Sequence, residues 1–289
     1  MHTKIQNNHI TLEATTLGAE LQSIQCGGTE YLWQGDAAYW TGRAPVLFPV
    51  IGGVRNNQIL IAGKPYPMQK HGFARKSEFT LIAQTQNSLT YSLKSNESSQ
   101  KSYPFDFELQ IQYKIAGKQI ENRYLIYNHD AKPMPFFIGG HPAFRCPLFE
   151  GETFEDYRIE FEQPETAACP LLQKDTLINT GLRTEILQST TTLPLSHALF
   201  QQDALIFDRL KSRGVKLINR RGKGVSMRFH GFDYFGLWTA PNHAPYLCLE
   251  PWTGINTTTD EDDHFEQKRG VQFVDPGQSQ TLAFYIEIL

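Results

Sequence analysis

Phe105-Asp106-Phe107-Glu108-Leu109-Gln110-Ile111-Gln112-Tyr113-Lys114-Ile115 sets an apolar side chain at every second position, with mostly polar residues between. A period of two places all the apolar groups on one face of an extended chain, which is the pattern of a half-buried β-strand. Ala116-Gly117-Lys118 then turns the chain into Gln119–Tyr127, rich in Ile and Tyr, so the spacing predicts a hairpin. The same reading pairs Phe79–Ala83 with Leu89–Leu93. It also pairs Val215–Ile218 with Val225–Phe229 across Arg220-Arg221-Gly222-Lys223-Gly224. Gln280–Leu289 reads as a last strand ending in the core. Helix signals are confined to a turn over Asp36–Gly42, before Pro45, and another over Ser196–Gln202. Many short strands punctuated by 22 Gly and 16 Pro predict an all-β fold, a large antiparallel sandwich or barrel with very few short helices. No linker, repeat or low-complexity segment divides residues 1–289, so a single domain is expected.

With 40% hydrophobic and 12% aromatic residues the chain can bury a sizeable core. A net charge of -3 leaves no basic footprint for nucleic acid or an anionic membrane. The first ten residues hold no apolar stretch of signal-peptide length, and no apolar run reaches the length that spans a bilayer. Cys26, Cys146, Cys169 and Cys248 are widely scattered, which fits reduced thiols better than a disulfide framework or a zinc site. A soluble cytoplasmic protein is expected. Asp260-Glu261-Asp262-Asp263 reads as a solvated loop without the ligand spacing of a calcium loop.

Four residues stand in settings that suggest chemistry. Glu250 comes at the end of the apolar run Tyr246-Leu247-Cys248-Leu249-Glu250-Pro251-Trp252, where solubility explains a carboxylate poorly. A carboxylate kept from water is a stronger base, while the alternative is a strand-end Glu that meets solvent. His141 follows an apolar run and two glycines in Phe136-Phe137-Ile138-Gly139-Gly140-His141-Pro142-Ala143-Phe144. His71, in Lys70-His71-Gly72-Phe73, precedes a glycine that allows a sharp bend. Each histidine could equally be a structural hydrogen-bonder. His2, His9, His129, His197, His230, His243 and His264 have no comparable context. Arg55 ends Ile51-Gly52-Gly53-Val54-Arg55 and offers a fork of donors to a ligand oxygen or a partner carboxylate, or lies in a surface turn. No pair of His, Cys or carboxylates has compact metal-ligand spacing, so no metal is expected.

Gly53-Val54-Arg55-Asn56, Lys70-His71-Gly72-Phe73, Gly140-His141-Pro142-Ala143-Phe144 and Cys248-Leu249-Glu250-Pro251-Trp252, taken in this order, resemble the aldose 1-epimerase (galactose mutarotase) family. The likeness runs from about Leu12 to the C-terminus and is greatest to the shorter bacterial branch encoded beside lactose and tagatose-phosphate genes. The resemblance implies a galactose mutarotase-like supersandwich with an open sugar cleft and no cofactor. It implies Glu250 as general base, His141 as general acid, and His71 and Arg55 as sugar-binding groups. An aspartate that holds sugar hydroxyls matches Asp203 in Gln202-Asp203-Ala204-Leu205-Ile206-Phe207, with Asp208 as the rival.

The expected function is therefore interconversion of the α and β anomers of a hexose by ring opening and closure. Its partner would be a small sugar, and the chain a monomer or homodimer. One departure bears on the substrate: the larger mutarotases follow the second histidine with an aromatic and an Asn, whereas Pro142-Ala143-Phe144 stands here. A related branch uses phosphorylated hexoses, and Lys70, Arg75 and Arg145 beside the histidine motifs could meet a phosphate or be ordinary surface charges. Trp33, Trp40, Phe144, Trp238 and Trp252 are candidates for stacking on a sugar or for core packing. Two other readings stay open: a non-catalytic carbohydrate-binding sandwich, and a glycoside hydrolase or lyase, for which only one carboxylate has a convincing setting.

Overall fold

A computed structural model describes residues 1–289. The strands Phe107–Ala116 and Gln119–Asn128 pair antiparallel in register from Phe107 opposite Asn128 to Ala116 opposite Gln119. Along both strands buried residues alternate with more accessible ones, as the period of two requires. Gly117, in the two-residue loop between them, has φ +57°, a conformation that favours glycine.

This hairpin lies within a nine-stranded antiparallel sheet. Its order is Ile178–Pro194, Tyr157–Leu172, Gly214–Asn219, Gly224–Arg228, Ser279–Ile288, Gln119–Asn128, Phe107–Ala116, Ser88–Lys94 and Thr80–Gln84. A six-stranded sheet packs against it, in the order Leu205–Phe207, Tyr234–Trp238, Tyr246–Trp252, Gly139–Gly140 and Val46–Leu47, with Ala143–Arg145 also paired to Tyr246–Trp252. The two are stitched by aromatic contacts, such as Phe161 with Phe207 at 6.0 Å between ring centres and Phe48 with Phe107 at 5.4 Å. A cluster of 74 buried residues runs from Ile5 to Ile288. A smaller four-stranded sheet over residues 2–30 is tied to the large one where Tyr113 Oη donates to the Ala19 carbonyl at 2.7 Å. The expected antiparallel all-β sandwich is what the chain forms.

Helix is confined to one four-residue α-helix, Glu97–Gln100, and five short 3₁₀ turns. The Ser196–Gln202 expectation corresponds to a 3₁₀ turn over His197–Phe200. Asp36–Gly42 is corrected: it forms only a turn, in which the Asp36 carbonyl accepts from the Tyr39 and Trp40 amides and its Oδ1 from the Ala38 amide. The longest hairpin, Tyr157–Leu172 with Ile178–Pro194, gives little signal in the sequence. Its register shifts at four places, between Glu160 and Glu165, Glu165 and Ala167, Ala167 and Ala168, and Pro170 and Leu171. Each bulge resets which side chains face inward and erases the alternation.

Gly139 and Gly140 lie where the backbone leaves no room for a side chain against the residues opposite. A Cβ on Gly140 would lie 2.9 Å from the Phe284 ring and 3.0 Å from Tyr124 Oη. Gly140→Ala is therefore expected to overpack the space between the sheets and lower unfolding stability by about 1–3 kcal/mol, read from chemical denaturation.

Candidate active site

The strand Tyr246–Trp252 is buried along its whole length, and it carries Glu250 into the interior at 1% exposure. Pro251 does not end the strand, as its place in the sequence suggests. It pairs opposite Phe235, and the strand runs on to Trp252. Opposite Glu250 stands Gly236, where an added Cβ would lie 3.1 Å from the Glu250 Cβ. The small neighbour leaves the carboxylate its room.

His141 reaches the same point from the short link between the adjoining strands Gly139–Gly140 and Ala143–Arg145. Its amide donates to the Pro45 carbonyl at 3.1 Å, and Gly139, two residues earlier, lets Trp252 pack where a side chain would clash. Its Nε2 lies 3.0 Å from Glu250 Oε2. That contact is close without the direction of a hydrogen bond, and Oε2 has no hydrogen-bond partner. His141 Nδ1 is likewise buried and unpartnered. Aromatic rings hold the imidazole instead: Trp40, tilted against it at 5.1 Å, and Trp238, edge-on at 5.7 Å between centres.

His71 has φ +65° and is followed by Gly72 at +69°. Its backbone amide donates to the Gly52 carbonyl at 2.9 Å, while its Nδ1 accepts the Gly52 amide at 3.1 Å. A nitrogen that accepts a backbone N–H carries no proton, so in the neutral ring the proton sits on Nε2, which is left as a donor. Burial, and then the positive charges of His141, Lys70 and Arg75, hold the His71 imidazolium well below the usual histidine range. The two rings are 5.8 Å apart.

These three residues line a cleft of about 1010 Å³, which Asp203 also faces. Asp203 has φ +93°, and its Oδ1 accepts the Ala204 amide at 2.8 Å. Asp208 lies outside the cleft, ion-paired to Arg183 beside a separate cavity. Trp40, Trp238 and Trp252 face the cleft, whereas Trp33 and Phe144 are buried in the packing. Lys70 and Arg75 face it as well, and Arg145 does not.

The expectation for Arg55 is corrected: it is not among the cleft residues. Its 3₁₀ turn, with Asn56 at φ +55°, aims the guanidinium at the loop that follows Thr257. There Nη1 meets Asp263 Oδ1 at 2.8 Å and Nη2 donates to the carbonyls of Thr258 and Glu261. Sequence reasoning missed the tip of the long hairpin, where Leu172, Gln173, Lys174 and Thr176 form part of the cleft, and Asn256, whose Nδ2 donates to the Thr176 carbonyl at 2.7 Å. Only the tertiary fold brings these segments to the histidines.

The family model for aldose 1-epimerase matches residues 1–277. The chain belongs to the aldose 1-epimerase family. Two curated relatives from Lactococcus lactis subsp. lactis, the plasmid and chromosomal forms of Protein LacX, are each 40% identical over the full length of both chains. Among solved structures, a galactose mutarotase related enzyme from Lactobacillus acidophilus is similar with a TM-score of 0.94 and 31% identity, covering 100% of this chain and 97% of that one. A galactose mutarotase-like protein from Lactobacillus casei ATCC 334 has a TM-score of 0.89 at 26% identity, with both chains fully covered. The sandwich of this family member is thus the galactose mutarotase-like one. No helix is long and apolar enough to cross a membrane.

Two expectations follow from the geometry. Because His71 resists protonation when folded but not when unfolded, its contribution to stability is complete above the unfolded value near 6.5 and is lost as pH falls below it. The acid limb should carry a slope from His71 of at most about 1.4 kcal/mol per pH unit. His71→Asn, which can still accept the Gly52 amide and tolerates positive φ, should flatten that limb in denaturation curves across pH. Arg55→Ala should cost about 1–3 kcal/mol of stability through its charge-assisted bonds while leaving sugar affinity, read by calorimetry, nearly unchanged.

Proposed function

We propose that this chain is an aldose 1-epimerase that interconverts the α and β anomers of a hexose by acid/base ring opening and closure. The observation that carries this reading is the 3.0 Å approach of His141 Nε2 to a Glu250 oxygen that is buried, unpartnered and on the wall of a sugar-sized cleft. A cyclic hemiacetal opens when the proton of its C1 hydroxyl is removed while another is delivered to the ring oxygen. Glu250 accepts the first and His141, as imidazolium, supplies the second. The C1–O5 bond breaks, a C1 carbonyl forms, and the C1–C2 bond rotates. His141 then takes back the proton as O5 attacks the other face, and Glu250 returns its own to O1. His71, with Nε2–H, donates to a sugar oxygen without exchanging protons, and Asp203 accepts from hydroxyls at the rim. Four free cysteines agree with a reducing cytoplasmic setting.

A second reading, a hexose 6-phosphate as substrate, is favoured by one observation. Lys70, Arg75 and Lys174 all face the cleft, and none of them forms an ion pair. Arg75 Nε is buried without a partner, and burial holds its guanidinium below the usual arginine range, so a bound anion would restore what desolvation removes.

Polarimetry on fresh α-anomers tests the reaction. Glu250→Gln and His141→Asn should each lower turnover by on the order of 10²–10⁴ with sugar binding retained. The double variant should be little worse than the poorer single one, because the two act in one transition state. Near-normal mutarotation by Glu250→Gln would remove it as the base. A panel of free hexoses against their 6-phosphates decides the second reading. Lys174→Ala should raise KM for a phosphorylated hexose and leave a free hexose untouched.

A further inference from the structure

The strand that delivers Glu250 also points Cys248 to the same side, two residues earlier. Cys248 is fully buried in a small cluster with Trp33, Ala143, Ala240, Ala244 and Tyr246, and the mechanism above gives its thiol no part. A ring nitrogen of His141, the Cys248 Sγ and a Glu250 oxygen all lie within 4.8 Å of one another. His141 Nε2 and Glu250 Oε2 are already 3.0 Å apart, and that oxygen is buried with no hydrogen-bond partner. An unsatisfied buried carboxylate oxygen facing an imidazole and a sulfur is a donor set aimed at a cation.

We propose that His141, Cys248 and Glu250 form a site for zinc(II), and that zinc bound there blocks the cleft as a reversible inhibitor. Tetrahedral zinc with nitrogen, sulfur and oxygen ligands sets its donor atoms about 3.3–3.7 Å apart, as its bond lengths of about 2.0–2.3 Å require. The observed separations, 3.0 Å between nitrogen and oxygen and none above 4.8 Å, bracket that pattern. His141 and Glu250 line the cleft, so a water from it would complete the shell. On binding, the S–H bond breaks and its proton leaves to solvent. Zn–S, Zn–N and Zn–O bonds form, and no electron is transferred. Thiolate and imidazole select zinc over magnesium, which prefers an oxygen shell. The metal would occupy the two atoms that move protons, so it competes with sugar. Inhibition rests on the proposed reaction, whereas binding does not, and the two are read separately.

The test uses the untagged full-length chain freed of metal by chelator. Cobalt(II) chloride, as a coloured stand-in for zinc, should give a near-ultraviolet thiolate-to-cobalt absorption band that saturates at one equivalent and is bleached by zinc chloride. Cys248→Ser should abolish the band and weaken zinc binding by at least about tenfold, while Cys26→Ser, on the more accessible thiol, should leave both unchanged. Should Cys248→Ser fail to fold, X-ray absorption on the zinc-loaded wild type decides. One sulfur with nitrogen and oxygen neighbours supports the site, and a shell of nitrogen and oxygen alone overturns it. In polarimetry zinc should slow mutarotation, saturating sugar or added chelator should restore it, and magnesium chloride should do nothing. Persistence of the band in Cys248→Ser, or zinc binding left unweakened by a sugar that calorimetry shows to bind the metal-free protein, overturns the proposal. A protein that binds zinc in this way but never shows mutarotation would sink the functional reading alone.

Discussion

Everything at the cleft depends on keeping the Glu250 carboxylate dry. Removing such a group from water costs several kcal/mol even after the protein relaxes, and a close opposite charge offsets that cost only when its position is fixed. The structure fixes it with sheet, not loop. The Tyr246–Trp252 strand has Tyr234–Trp238 on one side and Gly139–Gly140 and Ala143–Arg145 on the other, so Glu250 cannot swing toward solvent without opening hydrogen-bonded ladders. Gly236 and Gly139 allow the large Trp252 ring and the carboxylate to share a space that side chains would otherwise fill. The result is a carboxylate with one buried oxygen left unsatisfied, a group poised to accept a hydrogen bond.

The two histidines solve different halves of one electrostatic problem. Two imidazolium ions 5.8 Å apart in a low-dielectric cleft would repel strongly, so the site favours one charge at a time. His71 is kept neutral by its burial and by its two-way clasp with Gly52, which uses its Nδ1 lone pair. His141 has no such clasp. Its Nδ1 meets no acceptor, and tryptophan rings rather than hydrogen bonds hold the imidazole. A ring located by packing keeps one orientation whatever its nitrogens bind, which suits the role proposed for it.

How much of this could be read from sequence follows from how local each feature is. The alternation in Phe105–Ile115 and the glycine turn after it are local, and the hairpin formed where they place it. Glu250 and His141 were legible because each closes an apolar run with a polar group, and His71 because the glycine after it marks a sharp bend. Arg55 shares that context yet faces the other way, since Asn56 in a left-handed conformation redirects the turn and Asp263, more than two hundred residues away, captures the guanidinium. Asp203 and Asp208 are five residues apart and indistinguishable by composition. A partner 25 residues upstream, Arg183, separates them by engaging Asp208. The strands over 157–194 hide because bulges and prolines cancel the period on which strand reading depends.

That irregular hairpin explains why a rigid chemical centre can sit beneath an adaptable rim. Proton transfer needs atoms held to a few tenths of an ångström, and the six-stranded sheet supplies that. Discrimination among sugars needs only a few donors and charges at the mouth, which loops carry well. The rim is nonetheless not free. The Ile178 amide donates to the Thr257 carbonyl, the Thr259 amide donates to the Ile178 carbonyl, and Asn256 holds the Thr176 carbonyl. Those partners begin four residues beyond Trp252, on the chain that leaves the Glu250 strand. Lys174 and Gln173 are therefore positioned through the same backbone that positions Glu250. Changes in the hairpin sequence can reshape the cleft mouth while the distance from Glu250 to His141 stays as the sheet sets it.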